Sequence, residues 1–366
     1  MKILLIEPGG YAATFQYTHN LANELANRGH TVVLGTGLKF ETRDFPRTYT
    51  AFEIFDRFFP RPGRLLAFLA HVRKMQPDII HIQGHSHPTS YLLIRKMVGL
   101  VCKAKFVYTA QDVIPKQERK HHRRSLKSVY ARALHIFVNA RQNREMLLEA
   151  FPQTDPGKIS VIPLADLTAF VRKDAGIPFP DIPEERKIVL FFGNIEPRKG
   201  LQVLLESFRS VARSVPDAFL LIVGKPFHDI NAYLELADNP DIADRLMFHH
   251  HYYPLEQIPA LFSRVDIVAV PYVEGWNSAV IATAYANGRP VIASDIGGFD
   301  EVVENGDTGI LVPPGDVPAL AEAITRVLSD DELYAHMQKN VREKSRLNSW
   351  PEIARKTEQV YLSLTG

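Results

Sequence analysis

The sequence is short of several things, and each shortage closes off a class of answer. A single cysteine, Cys102, stands among 366 residues, so no disulfide can form within the chain, which fits a reducing compartment. Its neighbours Leu100 and Val101 suggest a packed thiol rather than a nucleophile. No apolar run approaches the ~20 residues that a membrane span requires. The formal net charge is only +2, which gives no basis for a general affinity for nucleic acid. The opening MKILLIEPGG is too short for a secretory leader and reads as a strand. No short repeat is visible. A cytoplasmic protein is expected, with peripheral contact at the inner face of a membrane as the alternative.

What is present is an ordinary globular composition, 46% apolar and 23% charged, over a length that suits two domains. Ile3 to Ile6 is a continuous apolar run, as in a strand buried on both faces, and Pro8-Gly9-Gly10 breaks it. A helical pattern through Leu21 and Leu25 stops at Gly29, and Thr31 to Leu34 is the next strand. That βαβ order implies a parallel sheet. Further strands read at 79–82, 106–109, 136–138 and 159–162. Pro178, Pro180 and Pro183 then mark a linker texture, after which the pattern restarts at Ile188. The organisation predicted is α/β, with two Rossmann-like doubly wound parallel-sheet domains facing a cleft. The first covers 1–170, the linker 171–187 and the second 188–349, with a last helix at 350–366 packed back on the first domain.

The most informative stretch runs from Pro271 to Asp316. An apolar run ends in Pro271-Tyr272, Glu274 follows, and small residues then open a helix. A second apolar run, Val291 to Ala293, leads into Gly297-Gly298. Loops at the carboxyl ends of parallel strands are where doubly wound sheets bind ligands, and helix N-termini attract phosphate. The segment therefore points to a ligand with phosphate, and with hydroxyls for an acceptor-only carboxylate to hold. Arg198 and Lys199, flanked by Gly193 and Gly200, offer phosphate a planar fork and a point charge. Three adjacent histidines, His249 to His251, would point to alternating faces and chelate one ion poorly, so no metal site is expected.

Two other segments have a bland and a functional reading. The cations between Lys96 and Arg132 read as a solvated helix face, or as contact with anionic lipid headgroups or a phosphorylated acceptor. Leu65, Leu66, Phe68 and Leu69, flanked by Arg64 and His71, read as the core stripe of an amphipathic helix, or as an interfacial membrane helix or acceptor-lipid groove.

Taken together, EPGG, NRGHTVVLGT, PDIIHIQGHSH, VYTAQDVIP, FFGNIEPRKGLQVLLESF, LLIVGKP and the 271–316 segment resemble the family-four glycosyltransferases, which have the GT-B architecture. The resemblance covers nearly the whole chain. It implies retaining transfer of a sugar from a nucleotide-diphosphate sugar to a hydroxyl of a glycan or lipid-linked acceptor. No protein-bound metal and no cofactor beyond the donor are implied. The catalytic residues it implies are His85, Lys199 and Glu274. The donor would also meet Gly9, Gly10, Asn194, Arg198, Tyr252, Asn277, Ser278 and Ala279. His81 reads instead as a core histidine within its strand.

The chain departs from the family pattern at several positions. Asn194 stands where relatives carry arginine, Gln83 and Gln111 replace histidines, and Leu164-Ala165 stands where relatives often have His-Gly. Thr283 replaces a second glutamate and offers at most one hydroxyl. A non-catalytic binding or scaffold homologue is the alternative these departures raise.

Overall fold

The structure is a computed structural model, and it describes residues 1–56, 59–84, 88–114, 120–166, 182–251, 253, 255–275 and 278–366. Two compact units result. The first takes Met1–Pro163 together with Trp350–Gly366, and the second takes Leu164–Ser349.

The first unit holds eight strands: β1 (Lys2–Glu7), β2 (Thr31–Gly37), β3 (Thr50–Asp56), β4 (Phe59–Pro60), β5 (Ile79–Gln83), β6 (Lys105–Ala110), β7 (His135–Val138) and β8 (Ile159–Val161). They lie in the order β4-β3-β2-β1-β5-β6-β7-β8. Neighbours are parallel except β4, which runs antiparallel on the edge, so this sheet is mixed rather than purely parallel. Ile3 to Ile6 are fully buried because helices cover both faces of the sheet.

The Pro62–Met75 helix buries Leu65, Phe68, Val72 and Met75, a stripe at helical spacing, and its His71 packs on Phe52 at 4.7 Å. That is the core reading of this segment. On the Lys120–Arg132 helix, Arg123, Arg124 and Lys127 are exposed. The last helix, Trp350–Thr365, sits on the Ala12–Asn27 helix. Trp350 meets Tyr17 edge-on, and Glu358 pairs with both Arg28 and His30.

The second unit holds six strands: β9 (Lys187–Phe192), β10 (Ala218–Val223), β11 (Leu246–His249), β12 (Ile267–Val270), β13 (Val291–Ser294) and β14 (Gly309–Val312). Their order is β11-β10-β9-β12-β13-β14, all parallel. In order of appearance this is 3-2-1-4-5-6, the dinucleotide-binding order, and the seven parallel strands of the first sheet begin with the same sequence. Strand order reverses between β9 and β12 in one unit and between β1 and β5 in the other. Those carboxyl ends are where a doubly wound sheet opens a crevice for a ligand.

Candidate functional site

The loops that follow β9 and β12 carry most of the residues singled out in the second half of the sequence. β9 ends at Phe192, and Gly193 follows with a φ of 112°. A methyl group there would sit 2.6 Å from the Lys199 ammonium, so the bare backbone at 193 makes room for the lysine. Gly200, at φ 68°, lies against the Pro271 carbonyl, which a Cβ would approach to 1.9 Å. The EPRKG turn is thereby locked against the end of β12. The Arg198 carbonyl accepts from the N–H groups of Val273 at 2.8 Å and Glu274 at 3.3 Å, which fixes the acidic loop on the basic one.

The two cations differ in their surroundings. Arg198 donates to Glu196 at 2.6 Å and is half-buried. Burial alone would raise the Glu196 carboxyl, but Arg198, with Lys199 and Asn194, outweighs it and holds that carboxyl below its ordinary value. Lys199 is buried and pairs with no carboxylate among the described residues. Its ammonium lies over the Tyr272 ring, 5.2 Å from the centroid. Arg198 is therefore already neutralised and Lys199 is the available charge. Asn194 is exposed and, among the described residues, reaches Glu196 alone, at 3.5 Å.

Tyr272 joins the parts. It is buried, its ring stacks edge-on against Phe299 just past Gly297-Gly298, and its hydroxyl lies 3.3 Å from Ser278 Oγ. Ser278 is the N-cap of the Ala279–Ala286 helix, accepting from the Val280 N–H. One tyrosine thus places a free ammonium and a helix N-terminus in the same neighbourhood. The sequence reading named Tyr272 only as the end of an apolar run. The signal available there was an aromatic directly before the acidic loop. Glu274 is exposed, and its carboxylate makes no ion pair or hydrogen bond among the described residues. Thr283 is fully buried and its hydroxyl donates to the Ala279 carbonyl at 2.7 Å, so it does not stand in for the absent glutamate. Asn277 and Tyr252 lie outside the described residues, as does His85 in the first unit.

In the first unit, Gly9 and Gly10 form the turn after β1, with Gly10 at φ 76°. Their N–H groups are occupied. Glu7, itself fully buried, accepts from Gly9 at 3.0 Å and from Gly10 at 2.7 Å, with Thr36 at 3.4 Å. Burial pushes the Glu7 carboxyl up to about 7 against the pull of those donors. The turn is accordingly held in shape from behind, and what it offers a ligand is close backbone approach rather than amide donors. His81 is buried, bonded to Tyr361 at 2.5 Å and Thr109 at 2.6 Å, and burial lowers it to about 3, as suits a core histidine. Among the described residues no group of three or more His, Cys, Asp or Glu side chains is arranged to hold a metal ion.

Comparison with known proteins bears on both halves. The family described as Glycosyl transferases group 1 matches residues 173–344, and Glycosyltransferase Family 4 matches 15–165. The D-inositol 3-phosphate glycosyltransferase of Corynebacterium glutamicum is 30% identical over 242 residues, 62% of this chain and 56% of that protein. The phosphatidyl-myo-inositol mannosyltransferase of Mycolicibacterium smegmatis is 33% identical over 187 residues, 50% of this chain and 47% of that protein. The chain thus spans about half the length of the curated relatives it matches. Among solved structures, Anabaena HepE in complex with UDP-glucose superposes with a TM-score of 0.77 at 18% identity, covering 99% of this chain and 100% of that one. Two family matches that between them take in most of the sequence, and a fold shared over its full length, lead to one placement: the chain belongs to the family-four glycosyltransferases of GT-B fold.

Proposed function

We propose that this chain transfers a sugar, with retention of configuration, from a nucleotide-diphosphate sugar to a hydroxyl of a glycan or lipid-linked acceptor. The observation that carries the reading is Lys199: a buried cation with no carboxylate partner among the described residues, held over Tyr272 beside the start of the Ala279–Ala286 helix. Breaking the sugar–phosphate bond leaves negative charge on a diphosphate, and preorganised cations and N–H donors at that point lower the barrier. Lys199 and the amides of Asn277, Ser278 and Ala279 take that charge in this reading. The Glu274 carboxylate receives donor hydroxyls. Arg198 orders Glu196 and the Glu274 loop. As the family resemblance implies, Tyr252 serves the base, and Gly9, Gly10 and His85 serve the sugar and acceptor. No side-chain nucleophile is assigned, and the leaving-group charge is met without a metal.

The relatives' names add direction to the acceptor, since they are named for inositol 3-phosphate and phosphatidyl-myo-inositol. The test is a thermal-shift screen against UDP, GDP, ADP and dTDP, followed by turnover assays with the matching sugars, with and without EDTA. A ligand at 100 times its Kd adds ~2.7 kcal/mol of stability. Failure of all four to stabilise the folded protein overturns the reading. The buried hydroxyl of Thr283 favours a second reading, a non-catalytic binding homologue. Its signature is nucleotide binding without transfer to any acceptor.

A further inference from the structure

A concavity of about 460 Å³ lies wholly within the first unit, and three arginines, Arg43, Arg47 and Arg64, line it with Phe40, Phe52 and Glu53. Arg43 stands 3.5 Å from one Glu53 oxygen and Arg64 3.3 Å from the other, with Arg64 also on the Glu53 carbonyl at 3.0 Å. Arg47 lies over the Phe40 ring, 5.5 Å from its centroid. One carboxylate therefore pairs with two guanidinium groups, while the third, Arg47, donates to the Arg43 carbonyl at 2.9 Å. Each guanidinium has five N–H donors in a fixed fork, so pairing with Glu53 leaves most of them unspent. Like charges gathered in a concave wall repel one another, and such a wall concentrates anions. An excess of two positive charges matches a phosphate monoester, whose oxygens suit bidentate guanidinium contacts.

The position of the pocket gives it a purpose. The Glu41 N–H donates to the Gly10 carbonyl at 2.8 Å, tying the loop that bears Arg43 and Arg47 to the Gly9-Gly10 turn. Phe40, in the pocket wall, lies so near that turn that a Cβ on Gly10 would be 3.3 Å from its own Cβ. The pocket wall therefore adjoins the turn.

We propose that the Arg43–Arg47–Arg64 pocket is the anion subsite of the acceptor, binding a phosphate monoester. The inference rests on the transferase reading for the word acceptor, and on the pocket alone for the phosphate. The guanidinium pair grips the phosphate oxygens, Glu53 holds the pair apart, and the phenyl rings wall the site.

The experiment measures inorganic phosphate binding calorimetrically to the full chain, to Arg43→Gln/Arg64→Gln and to Glu53→Gln, with UDP stabilisation as a parallel readout. Phosphate should bind the wild type, bind the double arginine variant at least ~10-fold more weakly, and bind Glu53→Gln more tightly, since that change removes the one carboxylate that lines the pocket among the described residues. A gain on Glu53→Gln is not an outcome that damaged folding produces. Equal phosphate affinity in wild type and double variant, or none in the wild type, overturns the proposal. Absence of UDP stabilisation in all three proteins would count against the transferase reading and leave the phosphate result to decide the pocket. Co-sedimentation separates the sources of the phosphate. Wild-type binding to phosphatidic acid but not phosphatidylcholine vesicles, lost in the double variant, assigns it to a lipid headgroup. Phosphate binding without vesicle binding assigns it to a soluble acceptor.

Discussion

The Lys199 ammonium lies 5.2 Å from the centroid of the Tyr272 ring, although the two residues belong to loops that follow different strands. The face of an aromatic ring attracts a cation by ~0.5–2 kcal/mol without neutralising it, so the lysine is both positioned and still available to an anion. A carboxylate in the same place would spend the charge, as Glu196 does for Arg198.

Removing the ammonium tests the central assignment. Lys199→Ala should weaken binding of the matching nucleotide diphosphate by roughly 10- to 100-fold, the worth of a hydrogen-bonded charge. Calorimetry gives the affinity and initial rates give kcat/KM. Unchanged affinity together with unchanged turnover would remove Lys199 from the site.

Tyr272 separates two contributions. Tyr272→Phe keeps the ring beneath the lysine and against Phe299 but loses the hydroxyl near Ser278, and should cost no more than ~1 kcal/mol. Tyr272→Leu loses the ring as well. It should lower both melting temperature and nucleotide affinity by clearly more than the Phe variant. Equal nucleotide affinity in the two variants would contradict the role given to the ring.

The two glycines around the basic turn should fail differently. Gly200→Ala drives a Cβ to 1.9 Å from the Pro271 carbonyl at a φ of 68°, and backbone on both sides cannot yield. We expect a loss of more than ~3 kcal/mol in urea unfolding. Gly193→Ala meets only the mobile end of Lys199, at 2.6 Å, so its stability cost is the ~1–3 kcal/mol of backbone strain while nucleotide affinity falls with the displaced ammonium. A Gly193→Ala protein that binds nucleotide normally would refute the arrangement.

Glu7 gives a pH dependence of definite sign. Its carboxyl is raised from 4.5 to about 7 in the folded protein, so its contribution to stability is complete below 4.5 and is lost as pH rises through about 7. Wild type should lose roughly 3 kcal/mol relative to Glu7→Gln across that window. Chemical denaturation of both proteins at pH 4.5 and pH 8 measures the difference. Parallel pH profiles would show that the buried carboxyl does not titrate as stated.

Much of the fold was legible because its strands are short apolar runs punctuated by glycine and proline. Ile3 to Ile6 and Ile267 to Val270 are sandwiched between helices, so burial on both faces writes itself as an uninterrupted run. β3 escaped that reading because TAFEIFD mixes polar and apolar residues on the outer part of the sheet, and β4 is two residues ending in proline. Within the site, Lys199, Glu274 and the glycines were legible as types and spacings. Which cation stays free was not, because Glu196 and Tyr272 are chosen by tertiary approach. Thr283 was expected to offer a hydroxyl, but its place on the inner face of its helix gives that hydroxyl to the Ala279 carbonyl instead. Glu7 shows the same limit. A glutamate before Pro-Gly-Gly carries no mark of burial until the sheet encloses it.

Tyr361 has its ring against Phe137 and its hydroxyl on His81, at the centre of the first unit, yet it is synthesised after the whole of the second. On the ribosome the earlier part of the chain must wait, with a hole where that ring belongs, until 280 further residues have emerged beyond His81. A frameshift or stop codon ahead of Trp350 would therefore be felt first as incomplete maturation of the half of the molecule that was made correctly.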